Sequence, residues 1–204
     1  MDHSAPTAAL LRRAGVPIVE AWDWCADPID MVVGANHADV GTAVCAYLID
    51  RGHRRLTCLT GDDDRARRRV AGFLAEAARH GLETPTVVTT TSPTSMGQGR
   101  RELAAMIDRG QLPDAVFCSS DALANGCLTE ALDRGLAVPT QLAVVGLGDL
   151  DFAAHTLPSM TTVRIDGDLI GRLAAAMLDD QLSGRQVPNR AVDIGFEIVV
   201  RASA

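Results

Sequence analysis

The chain has 204 residues, 47% of them hydrophobic and only 3% aromatic, with a formal net charge of −7. That length supports one sizeable core or two small ones, filled by Ala, Val, Leu and Ile rather than by rings. The acidic balance argues against a nucleic-acid-binding surface on these residues, and no apolar run approaches the roughly 20 residues of a membrane span.

The first seven residues show no basic region leading into an apolar core, so no export signal is read there and a cytoplasmic protein is expected. The five cysteines, Cys25, Cys45, Cys58, Cys118 and Cys127, form no Cys-x-x-Cys pair and lie mostly in apolar segments. They read as reduced, small core residues rather than metal ligands or redox centres.

Along the chain, strand and helix patterns alternate. Strands are predicted over 16–22, 30–34, 56–60, 86–90, 114–119, 142–147, 161–165 and 191–200. Helical stripes run through Val40, Val44, Tyr47 and Leu48, then through Val70, Phe73, Leu74 and Ala77. Leu103, Met106 and Ile107 mark a third, and Ile170, Leu173, Ala174, Met177 and Leu178 a fourth. Arg51-Gly52, His80-Gly81, Arg109-Gly110 and Arg134-Gly135 place a cation and then a glycine where a helix should stop. The cation faces the negative end of the helix dipole, and glycine accepts the left-handed cap. Short, continuously apolar strands interleaved with helices predict an α/β fold, a doubly wound parallel sheet covered on both faces.

The stretch Val144-Val145-Gly146-Leu147-Gly148-Asp149 carries the most specific local information. It reads as a buried strand with a tight Gly-Asp turn at its carboxyl end, followed by Leu157-Pro158 and a new strand at Thr161-Thr162-Val163. In open α/β sheets ligands bind in the crevice beyond the carboxyl ends of strands, and Asp149 places a carboxylate there.

Together with Asp30-Met31-Val32-Val33-Gly34, Asn36, Gly41, the run from Tyr47 to Leu56, Arg69-Val70-Ala71-Gly72-Phe73, the run from Asp114 to Gly126 and Gly135-Leu136-Ala137-Val138-Pro139, this stretch resembles the LacI/GalR (lactose-repressor) family of transcriptional regulators. The likeness covers nearly the whole chain. Val33-Gly34-Ala35-Asn36, Gly148-Asp149 and Val192-Asp193-Ile194-Gly195-Phe196 look closest to the gluconate-operon repressor branch.

The resemblance implies a periplasmic-binding-protein-like fold with two doubly wound subdomains and a small-molecule effector in the cleft. It maps residues 53–165 and 194–204 to the C-terminal effector subdomain. Residues 1–52 and 166–193 map to an N-terminal subdomain that lacks its opening strands and helices. The family's helix-turn-helix headpiece is not in the sequence, so operator DNA is expected to be reached only through a headpiece absent from this chain. A sheet shortened in this way should leave an open edge. The implied partners are a sugar or sugar-acid effector, with gluconate as the candidate, and a second copy in a homodimer; no cofactor is implied.

Six residues carry the binding expectation. Arg69 matches the family's effector-contacting arginine, and its planar fork suits a carboxylate or sugar hydroxyls. The plainer role is membership of a solvated run with Arg65, Arg67 and Arg68. Asp39 matches an acidic effector contact, and Asn36 matches the gluconate branch's asparagine; either could instead serve the start of a helix. Asp121 matches the acid of an Asn-Asp pair whose asparagine is Ser120 here, and it too could cap a helix. Asp149 stands one place later than the acid of many sugar-binding relatives. Trp22, with Trp24, could stack on a sugar face or pack against protein.

Enzyme readings find little purchase. There is no Gly-x-Ser-x-Gly elbow, no Walker loop, no third glycine after Gly146-Leu147-Gly148 and no His/Asp/Glu cluster with metal-ligand spacing. The competing reading is a periplasmic-type solute-binding protein for a sugar, which shares the fold.

Overall fold

The computed structural model describes residues 3–204. Strands and helices alternate through them. The first half runs α1 (Ala5–Arg13), β1 (Val19–Asp23), β2 (Met31–Ala35), α2 (His37–Asp50), β3 (Leu56–Thr60), α3 (Asp64–Arg79), β4 (Thr86–Thr89) and α4 (Met96–Asp108). The second half runs β5 (Ala115–Cys118), α5 (Asp121–Asp133), β6 (Ala143–Leu147), a 3-10 segment (Asp151–His155), β7 (Thr161–Arg164), α6 (Gly167–Leu182), β8 (Ala191–Asp193) and β9 (Glu197–Val199). Contacts divide the chain into two units, one comprising the residues up to His37 with Ile165–Phe196, the other Ala38–Arg164 with Glu197–Ala204.

The larger unit holds a six-stranded sheet in the order β4-β3-β5-β6-β7-β9, parallel except for the antiparallel β7–β9 pair. β3 and β5 are buried at every position, which is why they read as unbroken apolar runs. On one face Phe73 of α3 stacks on Phe117 of β5, with ring centroids 5.8 Å apart. On the other, Leu59, Val116, Cys118 and Val144 pack with Leu103, Leu123, Cys127 and Leu128. Two helix crossings depend on glycine. A Cβ on Gly72 would run into the Ala38 carbonyl and one on Gly41 into the Arg69 carbonyl, which brings α2 against α3. Gly99 and Gly126 serve the α4–α5 crossing in the same way, against the carbonyls of Leu123 and Met96. The terminal segment is locked in by Ser203, whose hydroxyl donates to Val144 O (2.6 Å) and accepts from Thr161 N (2.8 Å).

The smaller unit holds a parallel sheet in the order β1-β2-β8. Met31 and Val33 of β2 pack with Ile170 and Met177 of α6 and with Val187. Among the described residues β1 pairs with β2 alone, so one side of it is a sheet edge.

One sequence expectation is revised, and one element is new. The single strand expected over 191–200 is two strands in two sheets: β8 pairs with β2, β9 with β7. Gly195, at φ +68°, breaks the run, and its N–H donates to Asp193 Oδ1. Contacts group α2 from Ala38 onward with the larger unit, where it packs on α3 through the Gly41 and Gly72 contacts. Helix α1 was not expected at all, although Ser4 caps it and a proline opens it. The cation-glycine stops hold: Gly52, Gly81, Gly110 and Gly135 all have φ between +67° and +92°.

Candidate functional site

In the order β4-β3-β5-β6-β7 the connections run to opposite sides of β3 and β5, so these two strands flank the topological switch point of the sheet. The loops beyond them are tied together by hydroxyl groups. Gly61 N donates to Ser119 Oγ (3.0 Å), and the Thr94 and Ser120 hydroxyls share a 2.8 Å hydrogen bond. Ser92 N donates to Asp62 Oδ1 (3.0 Å). The hydrogen bonds from Ser92 hold the Asp62 carboxyl below its usual range. A cavity of about 240 Å³ opens on this edge, lined by Thr60, Gly61, Asp62, Arg67, Val70, Val87 and Thr89.

Arg69 sits in the second turn of α3 and is only 5% exposed. The solvated-run reading therefore fails for Arg69 while it suits Arg67, whose side chain is 66% exposed and paired with Asp64. Burial pushes the Cys58 thiol up to about 12, with the positive charge of Arg69 partly opposing the rise. Asp39 lies in the first turn of α2 and is exposed.

Asp121 has no exposed surface. Its Oδ1 accepts from Thr162 Oγ1 (2.5 Å) and its Oδ2 from Leu150 N (2.8 Å), while Ser120, not Asp121, caps α5. Burial raises the Asp121 carboxyl above its usual range, with those two hydrogen bonds opposing the rise. A Cβ on Gly146 would strike Asp121 Oδ1, so the glycine of the β6 motif makes room for the carboxylate. Asp149 adopts φ +50°, accepts from Arg201 Nη2 (2.7 Å) and Arg164 Nη1 (3.5 Å), and is 11% exposed at the side chain. Arg164 also pairs with Glu197. The two acids thus hold the β6–β7 turn, one by hydrogen bonds and one by ion pairs.

In the smaller unit Trp22 stands at φ +76° near the end of β1 and is 46% exposed. Its indole edge lies over Gly167 at the start of α6, and a Cβ at Gly34 would meet the backbone of Trp22 and Asp23. A non-glycine residue in the left-handed region within a strand is uncommon, and such strain concentrates at functional positions. Asn36 follows β2 directly and is half-buried. Of the six sequence candidates, Asp121 and Asp149 come together on the β6–β7 turn; Arg69 and Asp39 belong to the packed α2–α3 pair; Trp22 and Asn36 sit at the carboxyl edge of the small sheet. Among the described residues no group of three or more His, Cys, Asp or Glu side chains is arranged to hold a metal ion. The hydroxyls of Ser92, Thr94 and Ser119 were missed, and only the Thr/Ser-rich loop after β4 hinted at them.

Residues 45–204 match the periplasmic binding protein-like domain family. A LacI family transcriptional regulator from Silicibacter pomeroyi has a crystal structure that superposes with a TM-score of 0.90 at 30% identity, covering 99% of this chain and 74% of that one. The chain belongs to the LacI family of transcriptional regulators. It corresponds to the effector-binding domain of that family, as the periplasmic-binding-protein-like architecture requires. The transcription regulator GntR from Chromobacterium violaceum superposes with a TM-score of 0.92 at 31% identity, over 100% of this chain and 75% of that one. The HTH-type transcriptional regulator GntR of Pseudomonas aeruginosa is 33% identical over 204 residues, which are 99% of this chain and 60% of that protein. The chain therefore spans about three-fifths of that relative. These relatives are regulators rather than solute-binding proteins, so the periplasmic-type alternative is not favoured. No described helix is long and apolar enough to cross a membrane.

Proposed function

We propose that this LacI-family chain binds a sugar acid of the gluconate type and that, in the intact regulator, binding shifts a conformational equilibrium read out at operator DNA. The observation that carries the reading is Arg69, an arginine largely buried in the second turn of α3, the helix that follows β3. A cation kept out of water favours an anionic partner, and the planar fork matches a carboxylate. The hydroxyls of Ser92, Thr94 and Ser119 supply the donors and acceptors a polyol needs. The narrower choice of gluconate rests on the branch resemblance in the sequence and is supported by the similarity to the two GntR regulators.

Within this reading Asp39 contributes an exposed carboxylate from α2, and Trp22 and Asn36 act at their own sheet edge by stacking and hydroxyl bonding. Asp121 and Asp149 act by setting the shape of the β6–β7 turn. Effector favouring one of two conformations is sufficient to move their populations, provided its affinity differs between them. A homodimer is the assembly proposed for the intact protein, with operator DNA as its macromolecular partner.

A thermal melt with gluconate, and in parallel with glucose, tests the ligand. A ligand that binds only the folded state at about 100 times its Kd stabilises by about 2.7 kcal/mol. A melting point raised by gluconate and not by glucose is expected. Equal shifts, or none, would overturn the sugar-acid reading and leave the family membership standing.

A further inference from the structure

Two of the cysteines face each other. Cys118, the last residue of β5, and Cys127, in the second turn of α5, have their Sγ atoms 3.8 Å apart, and both are essentially fully buried. Cys127 Sγ also lies 3.6 Å from Gly99 O, at the close α4–α5 crossing. Both cysteines belong to an apolar cluster with Leu59, Leu123, Ala124 and Met160. Nothing in the effector reading uses this pair.

We propose that Cys118 and Cys127 are a preformed dithiol that a peroxide oxidises to an intrachain disulfide bracing β5 against α5. A disulfide needs the sulfurs at about 2.05 Å. Closing the 3.8 Å gap requires about 1.8 Å of approach between the sulfurs of the β5 residue and the α5 residue. The chemistry balances with hydrogen peroxide as oxidant. One thiol, as its thiolate, attacks the peroxide O–O bond, giving a sulfenic acid and one water. The second thiol displaces the sulfenic oxygen, forming the S–S bond and releasing a second water. Two thiols lose two electrons and two protons, and the peroxide gains both. Burial pushes the Cys118 thiol well above its usual range, so little thiolate forms and the reaction is slow. The bond would close a short loop spanning Ser119, which anchors Gly61, and Ser120, which caps α5.

The test uses the folded protein treated with hydrogen peroxide, quenched, alkylated under denaturing conditions and digested with trypsin. Both cysteines fall in one tryptic peptide, residues 110–134, which lacks internal Lys or Arg and contains no methionine. The expected result is an unalkylated peptide 2 Da lighter, restored by dithiothreitol and accompanied by a higher melting point for the oxidised protein. Cys118→Ala and Cys127→Ala, separate small-volume changes, should each abolish the 2 Da loss. The half-buried Cys25 is the internal control for oxidant exposure. If Cys25 is fully oxidised while both thiols of 110–134 still alkylate, or if either cysteine pairs with another residue instead, the proposal is wrong.

Discussion

At the scale of single residues, two side chains show how partners decide a role. Asp121 accepts hydrogen bonds on both oxygens, from Thr162 and from the Leu150 amide. Asp121→Ala removes both acceptors, leaving the Leu150 amide and the buried Thr162 hydroxyl without them. The variant should lose roughly 1–3 kcal/mol of stability, the usual cost of an unsatisfied buried group, measurable by urea unfolding. Arg69→Lys retains the charge and loses the fork. If Arg69 holds a carboxylate, the variant should bind gluconate about tenfold or more weakly by calorimetry, with an unaltered circular dichroism spectrum. His53 supplies a pH dependence. Burial lowers its pKa, with Asp114 opposing. The unfolded chain then takes up the proton first, so the contribution of neutral His53 is complete above the unfolded value of about 6.5 and is lost as pH falls toward the lower folded value. The stability gap between the wild type and His53→Gln should therefore narrow between pH 7 and pH 5.

At the scale of elements, the glycines separate packing from propensity. Gly72 in α3 has no room for a methyl group, since its Cβ would collide with the Ala38 carbonyl on α2. Gly72→Ala should cost roughly 1–3 kcal/mol or more, as overpacked sites do. Gly171, inside α6, has nothing within 4 Å of an added Cβ. Gly171→Ala should instead stabilise by about 1 kcal/mol, from helix propensity alone. Thermal denaturation of the two variants checks both signs. The helix stop signals are legible for a related reason: a cation and a glycine at a helix end act within one turn. Strand 191–200 was legible only as an apolar run, because the choice between β2 and β7 as partner is made by distant strands.

At the scale of the whole molecule, the two units differ in how their sheets are built. The larger has six strands with cores on both faces; the smaller has three strands, with β1 at an edge. Local stability follows buried apolar contact and paired backbone. Hydrogen exchange should accordingly protect the amides of β5 far longer than those of β1, and equal protection would contradict the edge assignment.

By itself the sequence determined the alternation of strands and helices, the helix ends, the family and the carboxyl sheet edge as the place of interest. All of these depend on periodicity, on one-turn capping chemistry or on motifs carried whole in short segments. Only the tertiary structure decided that Arg69 is buried, that Asp121 and Asp149 hold a turn, and that Cys118 meets Cys127. Their surroundings come from residues distant in the chain, as with Asp149 and Arg201, 52 positions apart, brought together by strand order. A carboxylate at a strand end looks the same in sequence whether it faces a ligand or a buried threonine.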